Sequence, residues 1–411
     1  MLESAISVST HEFSNADLRQ LQRLGVEDVP EGWRLSDVGS ACDIRNDLRL
    51  PISVEVRAEM AGRYPYYGPT GVLDYIDEFR VEGEFALIGE DGDHFLDAQR
   101  KPQTVRVAGH FNVNNHAHII AGTSRCHVDW FHYFFQHRDI SFFLTRQGAG
   151  RFKLNKAALM GLPLLLPPLQ EQRKIAEILQ TWDDAIDATS RLIAAKRRRL
   201  DALRNSLMVP DRHEPLADGW HMVRLGELTR ESTKRNKGEA LGRERVMGVS
   251  NAAGIAPMRD ATIASDLSRY KVLRPSGFVY NPMRLNVGSI AMSELESDAA
   301  VSPDYVVFEA ISEKLLPGYF DHFRRTGYWR HYVNVAGFGS VRVRIYYDGL
   351  AEIQAAFPEV DEQQRILDVL DAAADDLTAS EALCDALQRQ KRGLMQKLLT
   401  GEWRVSEAAV G

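Results

Sequence analysis

Cysteine is scarce in this chain of 411 residues: Cys42, Cys126 and Cys384 are the whole complement. Three scattered thiols exclude a disulfide framework and a thiolate metal site. Cys384 falls on the apolar stripe of a helical pattern and reads as a small buried hydrophobe. Long apolar runs are missing too, since no stretch approaches the ~20 residues that a bilayer span needs. The first thirty residues lack the basic region and apolar core of a secretory signal. A cytoplasmic protein without a membrane partner is the expectation. Nor is positive charge in surplus: Lys+Arg 50 against Asp+Glu 57 leaves a net charge of -7. That balance argues against a free-standing nucleic-acid binder, so if DNA is the ligand another subunit supplies much of the charge.

Catalytic signatures are lacking as well. Tyr280-Asn281-Pro282-Met283 begins like the Asn-Pro-Pro-aromatic motif of amino-methyltransferases, but the second proline and the stacking aromatic are missing, and it reads as a turn. Gly148-Ala149-Gly150 and Gly337-Phe338-Gly339 are lone G-x-G elements without the rest of a nucleotide-binding fingerprint. Their matching places suggest a shared loop shape.

What the chain does have is a helix-forming segment that occurs twice. PPLQEQRKIAEIL opens at Pro167 and PEVDEQQRILDVL at Pro358, 191 residues later, and the correspondence pairs Leu192 with Leu383 and Leu207 with Leu398 without a gap. Each copy follows a globular stretch with a similar opening, Gly32-Trp33-Arg34-Leu35 or Gly219-Trp220 running to Arg224-Leu225. The chain is therefore two half-molecules in tandem. In the first helix, Ile175, Ile178, Trp182, Ile186, Thr189, Ile193, Lys196, Leu200, Leu203 and Leu207 recur every three or four residues, a near-heptad seam. The second seam runs Ile366, Val369, Ala373, Leu377, Ser380, Cys384, Leu387, Lys391, Leu394, Leu398. Each seam carries one lysine and a polar or small residue at its middle, features that fix register. Glu171 and Glu362 sit in the first turns, where carboxylates favour the helix dipole. About 39 residues make a helix of roughly 58 Å, longer than a small domain is wide. Two such helices are expected to pack as an antiparallel coiled coil, the alternative being that each covers its own domain.

The globular stretches show short β-branched or aromatic runs broken by turn residues. Strands are expected at 85–89, 104–108, 116–121, 278–280 and 305–308, with helices at 128–136 and 317–325. The fold class is α+β: two domains with irregular β-rich sheets and helices, separated by the two long helices. The expected division is 1–166, helix 167–210, 211–357, helix 358–403 and a tail 404–411.

Three histidines, His110, His116 and His118, accompany Asn112, Asn114 and Asn115 on one strand-like stretch. A metal site, an edge that hydrogen-bonds bases, and ordinary turn bonding all stay open, since Asn matches adenine well but no carboxylate or thiolate completes a ligand set. Basic residues mixed with amides recur, with Arg151 and Lys153 in the first stretch and Lys234, Arg235, Arg284, Asn286, Arg342 and Arg344 in the second. Such residues read base edges and hold phosphates, or form a solvated surface. The run Lys196-Arg197-Arg198-Arg199 fits DNA backbone, an acidic partner or solvent equally.

Taken together, the chain resembles the specificity subunits of type I restriction-modification systems. The residues that carry the resemblance are the two Gly-Trp openings, Tyr64-Pro65-Tyr66-Tyr67-Gly68, Leu87-Ile88-Gly89-Glu90-Asp91-Gly92, the helix starts Pro168 to Arg173 and Glu362 to Arg365, and the ending Gln390 to Gly401. It implies two target-recognition domains, each reading one half of a bipartite asymmetric DNA sequence. Residue-level contacts do not carry over from the family; Tyr66 and Tyr67 of the tyrosine string are further DNA-contact candidates of this chain. The helices would space the half-sites by at most about 17 base pairs at ~3.4 Å each. Their packing would rest on Ile178, Ile186, Ile193, Leu200, Val369, Leu377, Cys384 and Leu387.

The resemblance also implies double-stranded DNA, two methylation subunits holding S-adenosylmethionine and two restriction (motor-nuclease) subunits using ATP and Mg as partners. This chain itself would be non-catalytic, with no cofactor or metal. Departures are the approach Pro358-Glu359-Val360-Asp361, where the family is usually proline-rich, and the absence of the tyrosine string from the second domain. A stand-alone DNA-modifying enzyme and a coiled-coil adaptor without a DNA role are the alternatives.

Overall fold

The computed structural model describes residues 15–147, 151–211, 213–238, 240–335 and 344–405. Both G-x-G loops and Arg342 lie outside them. The chain divides into two compact units, one of residues 1–188 with 384–411, the other of residues 189–383. The division falls within both long helices, Leu169–Met208 and Val360–Leu399, so each unit contains a half of each.

In the first unit a six-stranded sheet runs in the order 43–44, 117–121, 81–89, 104–113, 61–67, 72–76. All pairs are antiparallel except 61–67 with 104–113. Its central run Phe85-Ala86-Leu87-Ile88 is apolar without alternation because both faces are covered. Ala86 and Ile88 join Ile120 and the helix Val128–Gln136 in one core, while Phe85 and Leu87 join Val107, Phe111 and Ile119 in another. That helix buries Trp130, Phe131, Phe134 and Phe135 completely, and the Trp130 indole donates to Leu165 O at 2.8 Å. Cys42 and Cys126 are free thiols in the same core.

The second unit builds two four-stranded sheets instead, 229–231/306–310/278–280/290–292 and 254–257/246–250/299–301/271–273. The helix Pro317–Phe323 packs onto the first of them through stacked Phe278 and Phe308 (5.1 Å) and the edge of Phe320.

Different sheets are thus mounted on one frame. In the first unit the strand Arg34–Asp37 pairs antiparallel with Pro163–Leu166, which leads into the first long helix. In the second, Trp220–Arg224 pairs with Gln354–Pro358, which leads into the second long helix. Each opening strand follows a turn closed by Trp33 N to Pro30 O or Trp220 N to Ala217 O, both 3.0 Å. The third residue of each turn is left-handed, Gly32 at φ 79° and Gly219 at φ 80°, a conformation that a Cβ opposes.

A buried glutamine then fastens each helix start to its unit. Gln172 accepts from His127 N at 2.8 Å and donates to Arg125 O and Pro167 O, both at 2.9 Å. Gln363, 191 positions later, accepts from Leu316 N at 2.9 Å and donates to Lys314 O at 2.8 Å and Pro358 O at 2.9 Å. Both side chains are fully buried. Each amide spans the approach to a helix of its own unit, Val128–Gln136 or Pro317–Phe323.

Within each unit the two helix halves run antiparallel. In the first, partners retreat from residue 404 to 391 as the helix advances from 171 to 183: Arg404 Nε meets Glu171 at 2.9 Å and Lys391 meets Asp183. In the second, Lys196 reaches Asp376 (2.7 Å) and Ser380 (2.8 Å), whereas Arg204 further along meets His322, which bonds Asp371. Ile178, Ile186, Ile193, Leu377 and Leu387 are partly buried on this seam, and Leu200 and Cys384 are buried. Val369 is a correction: it is 49% exposed, and Leu370 is fully buried in its place. Near its start the helix turns this face to the core of the second unit, so the step after Ile366 is four residues rather than three.

Glu171 does more than favour a helix dipole. Its buried carboxylate accepts from Trp33 Nε1 (3.1 Å), Arg404 Nε (2.9 Å) and Nη2 (3.0 Å), and Val405 N (3.3 Å), binding the segment after the second helix to the first unit. Arg138 fastens the same unit by donating to Leu24 O, Phe134 O and Leu399 O, each at the C-terminal end of a helix.

Replacing Gln172 or Gln363 by Leu leaves one buried N–H and two carbonyls without their partner. Each substitution is expected to lower stability by about 3 kcal/mol, given 1–3 kcal/mol per unsatisfied buried group with partial relaxation. Denaturant titration of the full chain checks this, and a loss below about 1 kcal/mol would contradict the joint.

Candidate nucleic-acid interface

The structure sorts the first-unit candidates into two sets. Tyr66 is fully buried, its hydroxyl donating to Leu50 O (2.8 Å) and accepting from Ile52 N (3.0 Å), so it holds a loop rather than DNA. Asn112 is fully buried and donates to Glu78 O at 2.8 Å. Asn114, 7% exposed, accepts from His116 N at 2.9 Å. These three are withdrawn as DNA contacts, because their polar groups complete the backbone around them.

Tyr67, Asn115 and Lys153 reach the surface in part or in full. Arg151 opens the strand Arg151–Lys153. Asn115 and Lys153 meet through residues that the basic and amide pattern did not single out: Glu90 binds Lys153 at 3.1 Å and Arg49 at 2.8 Å, and Arg49 donates to Asn115 O at 3.4 Å. Arginine and glutamate 41 positions apart carry no local signal; only the sheet brings them together.

The three histidines part company. His110 lies against Phe79 with ring centroids 4.1 Å apart and ring planes tilted by 49°, and His116 bonds Asp91 at 2.9 Å. His118 is buried, with Nε2 donating to Leu154 O (2.7 Å) and Nδ1 accepting from Arg49 (2.7 Å) and Asn46 (2.9 Å). Both ring nitrogens are taken, which fixes the neutral form. Among the described residues no group of three His, Cys, Asp or Glu is placed to hold a metal ion.

In the second unit one candidate, Arg344, lines a cleft of about 370 Å³ together with Lys271, Asn281, Met283, Asp304 and Tyr346 among others. Asn281 starts a tight turn, receiving Met283 N on its side chain at 3.0 Å, so the Asn-Pro-Met string is a turn as expected. Arg284 and Asn286 follow on the same loop and are exposed, as is Arg344. Ile345 N donates to Pro282 O at 3.1 Å and joins the two segments. Arg235 is bridged to Lys271 and donates to Arg269 O at 2.7 Å, and Lys234 lies 3.9 Å from Asp298. Lys271, which the sequence reading passed over, is 8% exposed and donates to Tyr305 O at 2.7 Å. Burial draws it below the usual lysine range, partly offset by Glu231 beside it.

Residues 30–195 match the family model described as type I restriction modification DNA specificity domain. A Haemophilus influenzae protein named as a type I restriction enzyme specificity subunit is 26% identical over 357 residues, covering 82% of this chain and 86% of its own. The EcoprrI specificity subunit of Escherichia coli is 25% identical over 181 residues, 44% of this chain and 42% of that one. The crystal structure of the type I restriction-modification S subunit from M. genitalium has the same fold, with a TM-score of 0.61 at 13% identity, over 90% of this chain and 96% of that one.

The frame and these matches define a tandem α+β protein carrying a DNA specificity domain. Along most of its length the chain is similar to type I restriction-modification specificity subunits, and residues 30–195 carry their DNA specificity domain. No helix among the described residues is long and apolar enough to cross a membrane.

Buried histidines make the first unit acid-labile. Burial lowers His94, His118 and His137 and pushes His132 down to about 3. Each is neutral when folded and takes a proton on unfolding below about pH 6.5, the ordinary value. Their stabilisation is therefore complete above that pH and is lost as pH falls through it towards the folded values. Denaturation midpoints measured from pH 8 downwards are expected to hold level to about 6.5 and to fall before the carboxylates titrate; a level profile down to pH 5 would contradict this.

Proposed function

We propose that this chain is the non-catalytic, DNA-reading subunit of a type I restriction-modification complex. Each unit reads one half of a bipartite asymmetric target, and the helices set the gap between the halves. The observation that carries the reading is the duplicated frame: the same glycine turn, strand pair and glutamine clamp present a six-stranded sheet in one unit and two four-stranded sheets in the other. A duplicated mount with unlike contents suits a target whose halves differ. The family supports the same role through its DNA specificity domain.

Adenine methylation would then belong to two methylation subunits holding S-adenosylmethionine, and cleavage to two restriction subunits using ATP and Mg. The long helices offer a place for the first pair. Leu192 and Leu383, repeat-equivalent positions one on each helix just before the seam residues Ile193 and Cys384, are 48% and 53% exposed. An apolar residue presented twice fits a partner that binds twice.

Two measurements test this. Expressed with its methylation subunit in an unmethylated host, the chain is expected to direct methyladenine to a split motif of two fixed parts and a degenerate gap; a continuous palindrome would overturn it. Leu192→Asp or Leu383→Asp is expected to lower the number of methylation subunits per chain by one, read by native mass spectrometry. Two subunits retained in both variants would remove the helices as the docking surface.

A further inference from the structure

The second unit exposes on a rigid loop what a folding chain normally buries. Residues 281–289 are held by Asn281 N to Ser289 O (3.0 Å), Arg284 N to Asn281 O (2.9 Å), Ser289 N to Arg284 O (3.0 Å) and Gly288 N to Leu285 O (3.0 Å). Leu285 is 1% exposed and pins the loop to the core. Gly288, at φ 86°, lies where a Cβ would come within 2.7 Å of Asn251 Oδ1, so the loop is seated tightly on its neighbour. Yet Met283 and Val287 stand 48% and 54% exposed, and Tyr346 across the cleft 54%. Ordered backbone with large apolar side chains facing out marks a contact surface.

The polar groups say what it contacts. Arg284 and Arg344 are exposed and make no ion pair among the described residues, whereas Arg243, Arg245 and Arg274 are all engaged. Between them the cleft carries acceptors: Asp304 and Glu231, with Lys271 committed to Tyr305 O and 3.7 Å from Glu231. A phosphate in the cleft would meet Arg344 but also face two carboxylates, with Lys271 already engaged. A base edge fits, because it presents donors and acceptors together: guanidinium to guanine O6 and N7, carboxylate to the exocyclic amine of cytosine. Met283 and Tyr346 supply apolar contact for a thymine methyl or a sugar.

We propose that this cleft is the base-reading site of the second unit, with Arg344 and Asp304 as specificity-determining residues that touch base edges rather than backbone. The proposal rests on the DNA-reading function above. The test is selection from a random-sequence duplex pool by the full chain in complex with its methylation subunit, comparing wild type with Arg344→Ala and Asp304→Asn.

Each variant is expected to lose about tenfold or more of the base preference at one or two neighbouring positions of one half-site. The other half-site, unchanged, is the internal control for folding. Uniform weakening at every sequence would assign the cleft to the backbone and overturn the proposal, as would an unaltered motif. A wild type that enriches no motif would sink the DNA-reading function, and the cleft with it; a wild-type motif that both variants retain sinks the cleft alone.

Discussion

The frame of this protein depends on a fully satisfied glutamine at the root of each long helix. An amide buried without partners would cost several kcal/mol, so Gln172 and Gln363 are tolerable only because each meets one N–H and two carbonyls. That requirement works in both directions. The amide fixes where the helix leaves the unit, and it fixes the loop before the unit's own helix, at His127 or at Leu316. Everything mounted between the opening and closing strands can then vary while the helix keeps its exit. The first unit adds a second fastening through Glu171 and Arg404 that the second unit does not repeat, since Glu362 turns instead to Arg365 within its own helix.

The same logic explains the seam. Lysine is costly to bury, yet Lys391 is 6% exposed, with Asp183 and Gln136 as partners and the Tyr133 ring beside it. Lys196 is placed likewise between Asp376 and Ser380. A lysine that finds its acceptors in a single alignment penalises every slipped one, so these residues specify register where leucines alone would slide.

Periodicity made the helices legible, because forty residues of three-four spacing admit few other readings; only Val369 failed, where local burial against the second unit outweighed the seam. The helix 128–136 and the strand 278–280 emerged at the residues expected, being dense in aromatic and β-branched side chains with clear turn residues beside them. The site was less legible for a physical reason. An asparagine on a strand reads the same whether it faces a base or a backbone carbonyl, and Asn112 and Asn114 turned out to face the backbone. Tyr66 was misplaced in the same way, its hydroxyl having found Leu50 and Ile52. Lys271 and Asp304 escaped notice because their meaning lies in a cleft assembled from segments far apart in sequence.

The central claim is that two separately mounted units read two halves of one target independently. It is tested most directly by exchanging the segment between Trp220 and Pro358 for its counterpart from another specificity subunit, keeping both helices and Gln363, and mapping methyladenine in an unmethylated host. The account predicts that one half of the motif changes to that of the donor while the other half stays as it was. Alteration of both halves, or of neither, would contradict it.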